Sequence, residues 1–270
     1  MTLTGDDEQS RGTAVVTVRL FPLVVLLSFP ALGAPRDFPI TWTTQTNDAG
    51  KSEYEGWLTA RIARTDDFAR FDGRLAWSIG VARTLEAQLA VEPEIERTDA
   101  SASLDGKVTN LWRWTTWRQG APFAVGGLGR VSLGLDRLEL EGRLIADLKV
   151  DRFLFALNVS AERLTFWNGR AGVDTRLEES LGVRFALSNT ASFGIEGRVK
   201  SSWEQRIYRG TAVYVGPTLA FTNPHFWVSL GAFAQVAAER GDGDRGSSEP
   251  QELRDNERFV LRLTVGAPAK

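Results

Sequence analysis

The sequence predicts an all-β fold: a closed antiparallel transmembrane β-barrel of about twelve strands in up-and-down meander order, behind a cleaved N-terminal signal peptide. Three observations predict it. From Glu53 onward apolar residues alternate with polar or small ones at period two, while helical spacing is rarely sustained. Most alternating segments run to about ten residues or more, the length a tilted strand needs to cross a bilayer and longer than soluble strands usually are. Aromatic residues gather at one set of connections, as they do at a membrane interface.

Composition sets outer bounds. The 270 residues carry 32 Lys and Arg against 34 Asp and Glu, so there is no basic excess to recruit nucleic acid. The absence of cysteine excludes disulfides, thiol catalysis and cysteine metal sites, and suits export through an oxidising compartment.

The first element is the apolar run Leu20 to Leu32, preceded by Arg11 and Arg19 and followed by Gly33 and Ala34. It is too short for a membrane helix, which needs about 20 residues, and Pro22 and Pro30 weaken it further. This is a signal-peptide pattern, with cleavage expected after Gly33 or, alternatively, Ala34. Asp6, Asp7 and Glu8 are unusual ahead of such a segment and point to a start near Val15 or Val18. The expected division is residues 1–33 signal peptide, 34–52 periplasmic N-terminal segment, 53–266 barrel and 267–270 C-terminal tail.

Within the barrel, Leu75, Trp77, Ile79 and Val81 share one face of a segment whose other face is Arg74, Ala76, Ser78 and Gly80. After Ala82-Arg83-Thr84 the alternation resumes, Leu85, Ala87, Leu89 and Val91 opposing Glu86, Gln88, Ala90 and Glu92. Continuing in this way centres strands near residues 58, 78, 90, 112, 127, 143, 159, 181, 198, 215, 232 and 260. Connections at 82–84, 119–121, 150–152, 188–190 and 222–225 are short and read as periplasmic turns. Those at 64–73, 96–106, 164–176 and 238–256 are longer and more polar, and read as extracellular loops. Trp117, Phe123, Phe153, Phe155, Phe185, Phe193, Phe221 and Phe226 flank the short turns as an interfacial girdle, with Trp57, Trp167, Trp203 and Tyr208 marking the opposite rim. Glycines such as Gly80, Gly127, Gly182, Gly216 and Gly231 leave room for bulky neighbours or let the wall bend, bending being the favoured role.

If the apolar face meets lipid, the other face lines a lumen rich in both charges. Its candidate residues are Arg74, Glu86, Lys107, Arg113, Glu139, Glu141, Arg143, Asp147, Arg184, Glu196, Arg198 and Arg262. Opposite charges on neighbouring strands can pair into ladders that hold the barrel and narrow its bore. For any one of these residues that structural role outweighs solute contact. A barrel of this size lies between the packed eight-stranded type and the open porins.

No catalytic residues are assigned. His225, the one histidine, falls in a short turn, and Ser188 in the preceding one has no nucleophile motif around it. Gly126-Gly127-Leu128-Gly129 lacks the Lys-Ser/Thr ending of a phosphate loop. Residues 241–246 form an acidic, flexible loop without a calcium-ligand series, and Asn158-Val159-Ser160 matches a glycosylation triplet only inside a strand. No cofactor or metal is implied.

The stretch from Asp37 through Val91, with Phe38-Pro39-Ile40-Thr41, Gly56-Trp57 and Ser78 to Glu86, resembles outer-membrane proteins of the phenol meta-pathway transporter type, as does Arg258 to Gly266. The resemblance implies a barrel in the bacterial outer membrane serving as a channel for small, hydrophobic or aromatic compounds. One departure is the ending Gly266-Ala267-Pro268-Ala269-Lys270, where an aromatic residue is usual. The expected partners are outer-membrane lipids and a small-molecule solute, with no nucleic acid. Two other readings stay open: a non-conducting barrel that presents its loops, and a soluble periplasmic binding barrel with the apolar face turned inward.

Overall fold

The computed structural model describes residues 35–269 except 63–68, 99–100, 117–120, 168–171 and 242–256. The signal peptide, the acidic loop of residues 242–246 and Trp117 lie outside the described residues. The strands are β1 (Ser52–Ile62), β2 (Ala69–Ala82), β3 (Leu85–Thr98), β4 (Ser101–Thr115), β5 (Phe123–Gly134) and β6 (Arg137–Val150). They continue as β7 (Phe153–Phe166), β8 (Gly172–Ala186), β9 (Ala191–Glu204), β10 (Ile207–Thr222), β11 (Trp227–Arg240) and β12 (Phe259–Ala269). Every expected strand centre falls inside one of them. Each strand pairs antiparallel with its sequence neighbours, and β12 returns to β1 in continuous register from Ser52↔Ala269 to Ile62↔Phe259. Closure leaves no unpaired edge, the condition for crossing hydrocarbon with strands.

The barrel is chemically inside out. Along β7, Leu154, Ala156, Asn158 and Ser160 are buried while Phe153, Phe155, Leu157 and Val159 are exposed. The same parity turns Leu75, Trp77, Leu89, Val91, Leu144, Leu181, Ile195, Leu219 and Leu263 outward, and Glu53, Arg74, Glu86, Glu139, Glu196 and Thr264 inward. Water would not leave so many large apolar side chains exposed around a full circumference. The exterior is a lipid-facing belt, which disposes of the soluble barrel with an apolar interior. Phe123, Phe153, Phe193, Phe221 and Phe226 stand exposed at the end holding the short turns. Neighbouring rings there touch, Phe153 and Phe185 at 5.1 Å and Phe221 and Phe226 at 5.9 Å between centroids. We call this the terminal end, since β1 begins and β12 finishes there, and the opposite one the loop end.

Three expectations change. The sequence reading stops strands at polar runs, but β3 continues to Thr98 and β4 starts at Ser101, so most of 96–106 is strand. Likewise β7 reaches Phe166 and β8 starts at Gly172, and only Gln205 and Arg206 separate β9 from β10. Once a strand leaves hydrocarbon its ladder persists and only its outward residues need no longer be greasy, so polarity ends before pairing does. Of the separate tail expected at 267–270, Ala267, Pro268 and Ala269 belong to β12 and pair with Tyr54, Glu53 and Ser52. Pro268, lacking an N–H, is tolerated because β11 pairs with β12 only as far as Gly266.

The largest difference concerns residues 34–52, expected outside the barrel. Residues 36–47 lie inside it, Phe38, Thr41 and Thr44 being almost wholly buried. A Cβ on Gly182 would meet the Phe38 ring at 2.7 Å, and one on Gly231 would meet Pro39 at 2.7 Å. Close approach to the internal segment, and not wall bending, is the role of these two glycines.

Candidate functional site

The bore has two parts, a charged cavity on the loop side and the internal segment that floors it. The segment is unbranched by secondary structure, so its backbone donors must find partners on the wall. Glu196 of β9 accepts from the N–H groups of Ile40 (3.3 Å) and Thr41 (2.6 Å). Asn158 of β7 brackets Trp42, its Oδ1 accepting from the Trp42 N–H and its Nδ2 donating to the Trp42 carbonyl, both at 2.8 Å. Asp147 of β6 accepts from the Thr44 N–H (2.6 Å) and hydroxyl (2.7 Å). Glu86 of β3 accepts from the Asn47 N–H at 2.8 Å, and the Asn47 amide donates to Ser78 of β2 at 2.9 Å. The chain then joins the wall through a bridge of Ala49 to Gly80 and turns into β1.

Apolar contacts reinforce these bonds. Ile40 packs with Ala212, Tyr214, Phe233 and Val260, Phe38 with Leu154 and Ala156, and Trp42 against Leu111, Leu128 and Ile145. At the segment's start Arg36 pairs with Glu55 at 2.6 Å and sits 3.4 Å over the Trp42 ring, while Asp37 pairs with Arg184. Burial pushes the Asp37 carboxyl above the ordinary carboxylate range, against the pull of Arg184 and Lys149.

Each candidate lumen residue can now be placed. Four hold the internal segment: Glu86, Asp147, Arg184 and Glu196. Arg113 bonds to both oxygens of Glu86 at 2.9 Å and so fixes that acceptor. Arg74 pairs with Glu92 at 3.0 Å and donates to Gln88; Lys107 bridges Glu92 at 3.4 Å and Glu139; Arg137 reaches Glu139 at 2.9 Å. Glu141 lies between Arg130 and Arg143, both at 2.8 Å, and Glu178 receives Arg198 and, at 3.6 Å, Arg143. These ladders run from strand to strand around β2 to β9. Arg262 differs, its guanidinium lying 3.4 Å over the ring of Trp57.

Trp57 thus lines the bore and does not mark the outer rim, because β1 turns Glu53, Glu55, Trp57 and Thr59 to one side. Asn158, read as an accidental glycosylation triplet, proves to be a main holder of the internal segment. A signal for that segment was present: Phe38 to Thr46 contains no charge, carries two large aromatics and lies outside any predicted strand. His225 donates its N–H to Asn223 within its own turn, and the Ser188 hydroxyl is engaged with Thr190 and the Ala191 N–H in another.

The cavity above Ile40 and Trp42 has a volume of about 480 Å³ and reaches the loop end at Asp174, Glu204 and Arg209. Its wall is overwhelmingly charged, and its floor is apolar at Ile40, Trp42, Leu111, Leu128 and Val260.

Comparison with known proteins bears on the fold. No curated protein matches the sequence. An outer membrane channel from Pseudomonas putida F1 shares 10% identity with a TM-score of 0.65, covering 84% of this chain and 98% of that one. The NanC porin gives 12% identity and a TM-score of 0.54, covering 79% and 98%. The β domain of the Bordetella autotransporter BrkA gives 8% and 0.51, covering 82% and 99%. At such identities the likeness is one of architecture, and the architecture is that of an outer-membrane β-barrel. Residues 146–268, from the end of β6 through β12, match a family of unknown function, DUF6662.

Proposed function

We propose that this protein is a passive, non-enzymatic channel for small molecules in the bacterial outer membrane. The observation that carries this reading is the charged cavity inside a lipid-facing barrel, reaching the loop end and floored by a single chain segment. A wall lined with ion pairs keeps water in the bore, which a merely structural barrel has no need of. The resemblance in sequence adds small hydrophobic or aromatic compounds as the solute class to try, although a bore so charged suits solutes that carry charge of their own.

A second reading has its own support. Residues 36–47 cross the bore from β9 to β3 on buried hydrogen bonds, as they would in a barrel that conducts nothing and serves as a platform for its loops. Planar-bilayer recording on the purified protein, intact and with residues 36–47 deleted, separates the two. A channel gives steady conductance in the intact protein, rising several-fold in the deletion. A platform is silent when intact, and small-solute uptake into vesicles bearing it equals that of empty vesicles.

A further inference from the structure

We propose that the cavity binds a small carboxylate with a short apolar body, anchored by Arg262. The proposal deepens the channel reading and rests on it only in that the ligand enters from the loop end.

The cations of the bore are mostly spoken for, as the ladders of Arg74, Lys107, Arg130 and Arg143 illustrate. Among the described residues Lys200 and Arg262 have no ion-pair partner within 4.0 Å. Both line the cavity, and of the two Arg262 is the one beside the apolar floor; its cationic neighbours Arg36, Arg61 and Arg198 are each paired with a carboxylate. The carboxylates near it are committed elsewhere: Glu55 to Arg36 at 2.6 Å, Glu257 to Arg61 at 3.5 Å, Glu178 to Arg198, and Glu196, which also lies within Coulombic range of Arg262, to the N–H groups of Ile40 and Thr41.

The geometry at Arg262 favours a planar anion. Trp57 takes up one face of the guanidinium, contact that leaves in-plane N–H groups for a bidentate acceptor, and Nε has no hydrogen-bond partner. Two residues along the same inward face stands Val260, packed on Ile40. An anion seated on Arg262 therefore has an apolar step directly beside it. A bare inorganic ion would leave that step wet, and a neutral solute would leave the Arg262 guanidinium unpaired.

Calorimetric titration of the detergent-purified full chain tests this with butyrate, butyramide as the uncharged isostere, and formate as the anion without an apolar body. Butyrate is expected to bind saturably and the other two at least about tenfold more weakly. Arg262→Gln, checked for heat-modifiable migration, should weaken butyrate binding by about tenfold or more, while Lys200→Gln, six residues along β9 from the position level with Arg262, should change it by no more than about twofold. If Arg262→Gln fails to fold, Arg262→Lys keeps the charge, loses the fork and should still weaken binding. Butyramide or formate binding as well as butyrate, or Arg262→Gln binding like the parent, overturns the proposal. Binding by a protein silent in bilayers would sink the channel reading and leave the site standing; conductance without binding would do the reverse.

Discussion

Arg130 reaches from β5 to Glu141 of β6 at 2.8 Å and Glu162 of β7 at 2.5 Å, and the three side chains are between 6% and 16% exposed. Such a group gains from mutual attraction about what it lost by leaving water, so its presence is a poor argument for stability while its breakage is a severe one. Arg130→Met would leave Glu141 with Arg143 alone and Glu162 with Arg176 alone, at 3.4 Å, and is expected to cost about 1–3 kcal/mol, read from the urea midpoint of the barrel folded in lipid vesicles. If Arg130→Met alone leaves the midpoint unchanged, the ladder is solvated and the wall is not held by it. Glu196 belongs to a different class, since it binds backbone and not a cation. Glu196→Ala removes the acceptor for the N–H groups of Ile40 and Thr41. It should raise the frequency of large openings in bilayer recordings while the unfolding midpoint moves by no more than about 1–3 kcal/mol.

Among the elements, the hairpin of β9 and β10 turns on Gln205 and Arg206, both in the left-handed region at φ of 50° and 71°. Two-residue turns of this kind match the strand twist, but side chains other than Asn and Gly pay for the conformation. Replacing the pair by Asn-Gly should stabilise the barrel by about 1 kcal/mol, seen as a higher urea midpoint with conductance unchanged. A lower midpoint would mean that the two side chains contribute more than the backbone loses. The strands themselves were legible because a period of two persists through any one-sided sheet, and the girdle because aromatics recur at fixed ends. What misled was polarity as a stop signal: Glu94, Glu96 and Arg97 pair in the ladder although three of the four residues from Glu94 to Arg97 are charged. The internal segment was illegible for another reason. Its partners lie 155 residues away for Thr41 and 103 for Thr44, and a periodic pattern reports only on neighbours along a strand. Arg262 could be listed as inward from parity, but that it lies 3.4 Å over a tryptophan ring, closer than Arg113 at 5.1 Å or Arg74 at 5.7 Å, depends on where β1 meets β12.

At the scale of the whole molecule, alternation cannot say which face looks inward; closure and size decide it. Twelve strands enclose too wide a bore for side chains alone to fill, and here the filling is supplied by charged ladders and the chain's own residues 36–47. With water and charge inside, the apolar face has only lipid to meet. Strands of 14 or more residues, such as β4, β6 and β10, exceed the roughly 9–11 that a tilted strand needs, so part of each stands clear of hydrocarbon. Leu144, 66% exposed at the middle of β6, and Leu104, 75% exposed on the loop-end arm of β4, look alike by exposure yet meet different solvents. Leu144→Arg is expected to destabilise the folded barrel in vesicles by about 2–4 kcal/mol, the cost of a guanidinium near the bilayer midplane. Leu104→Arg should cost no more than about 1 kcal/mol. In a detergent micelle thin enough to let the side chain reach water, the gap between the two variants should shrink. Equal costs in vesicles would mean that the belt extends to the end of the β3–β4 arm, and that the barrel stands deeper in the membrane than its strand lengths imply.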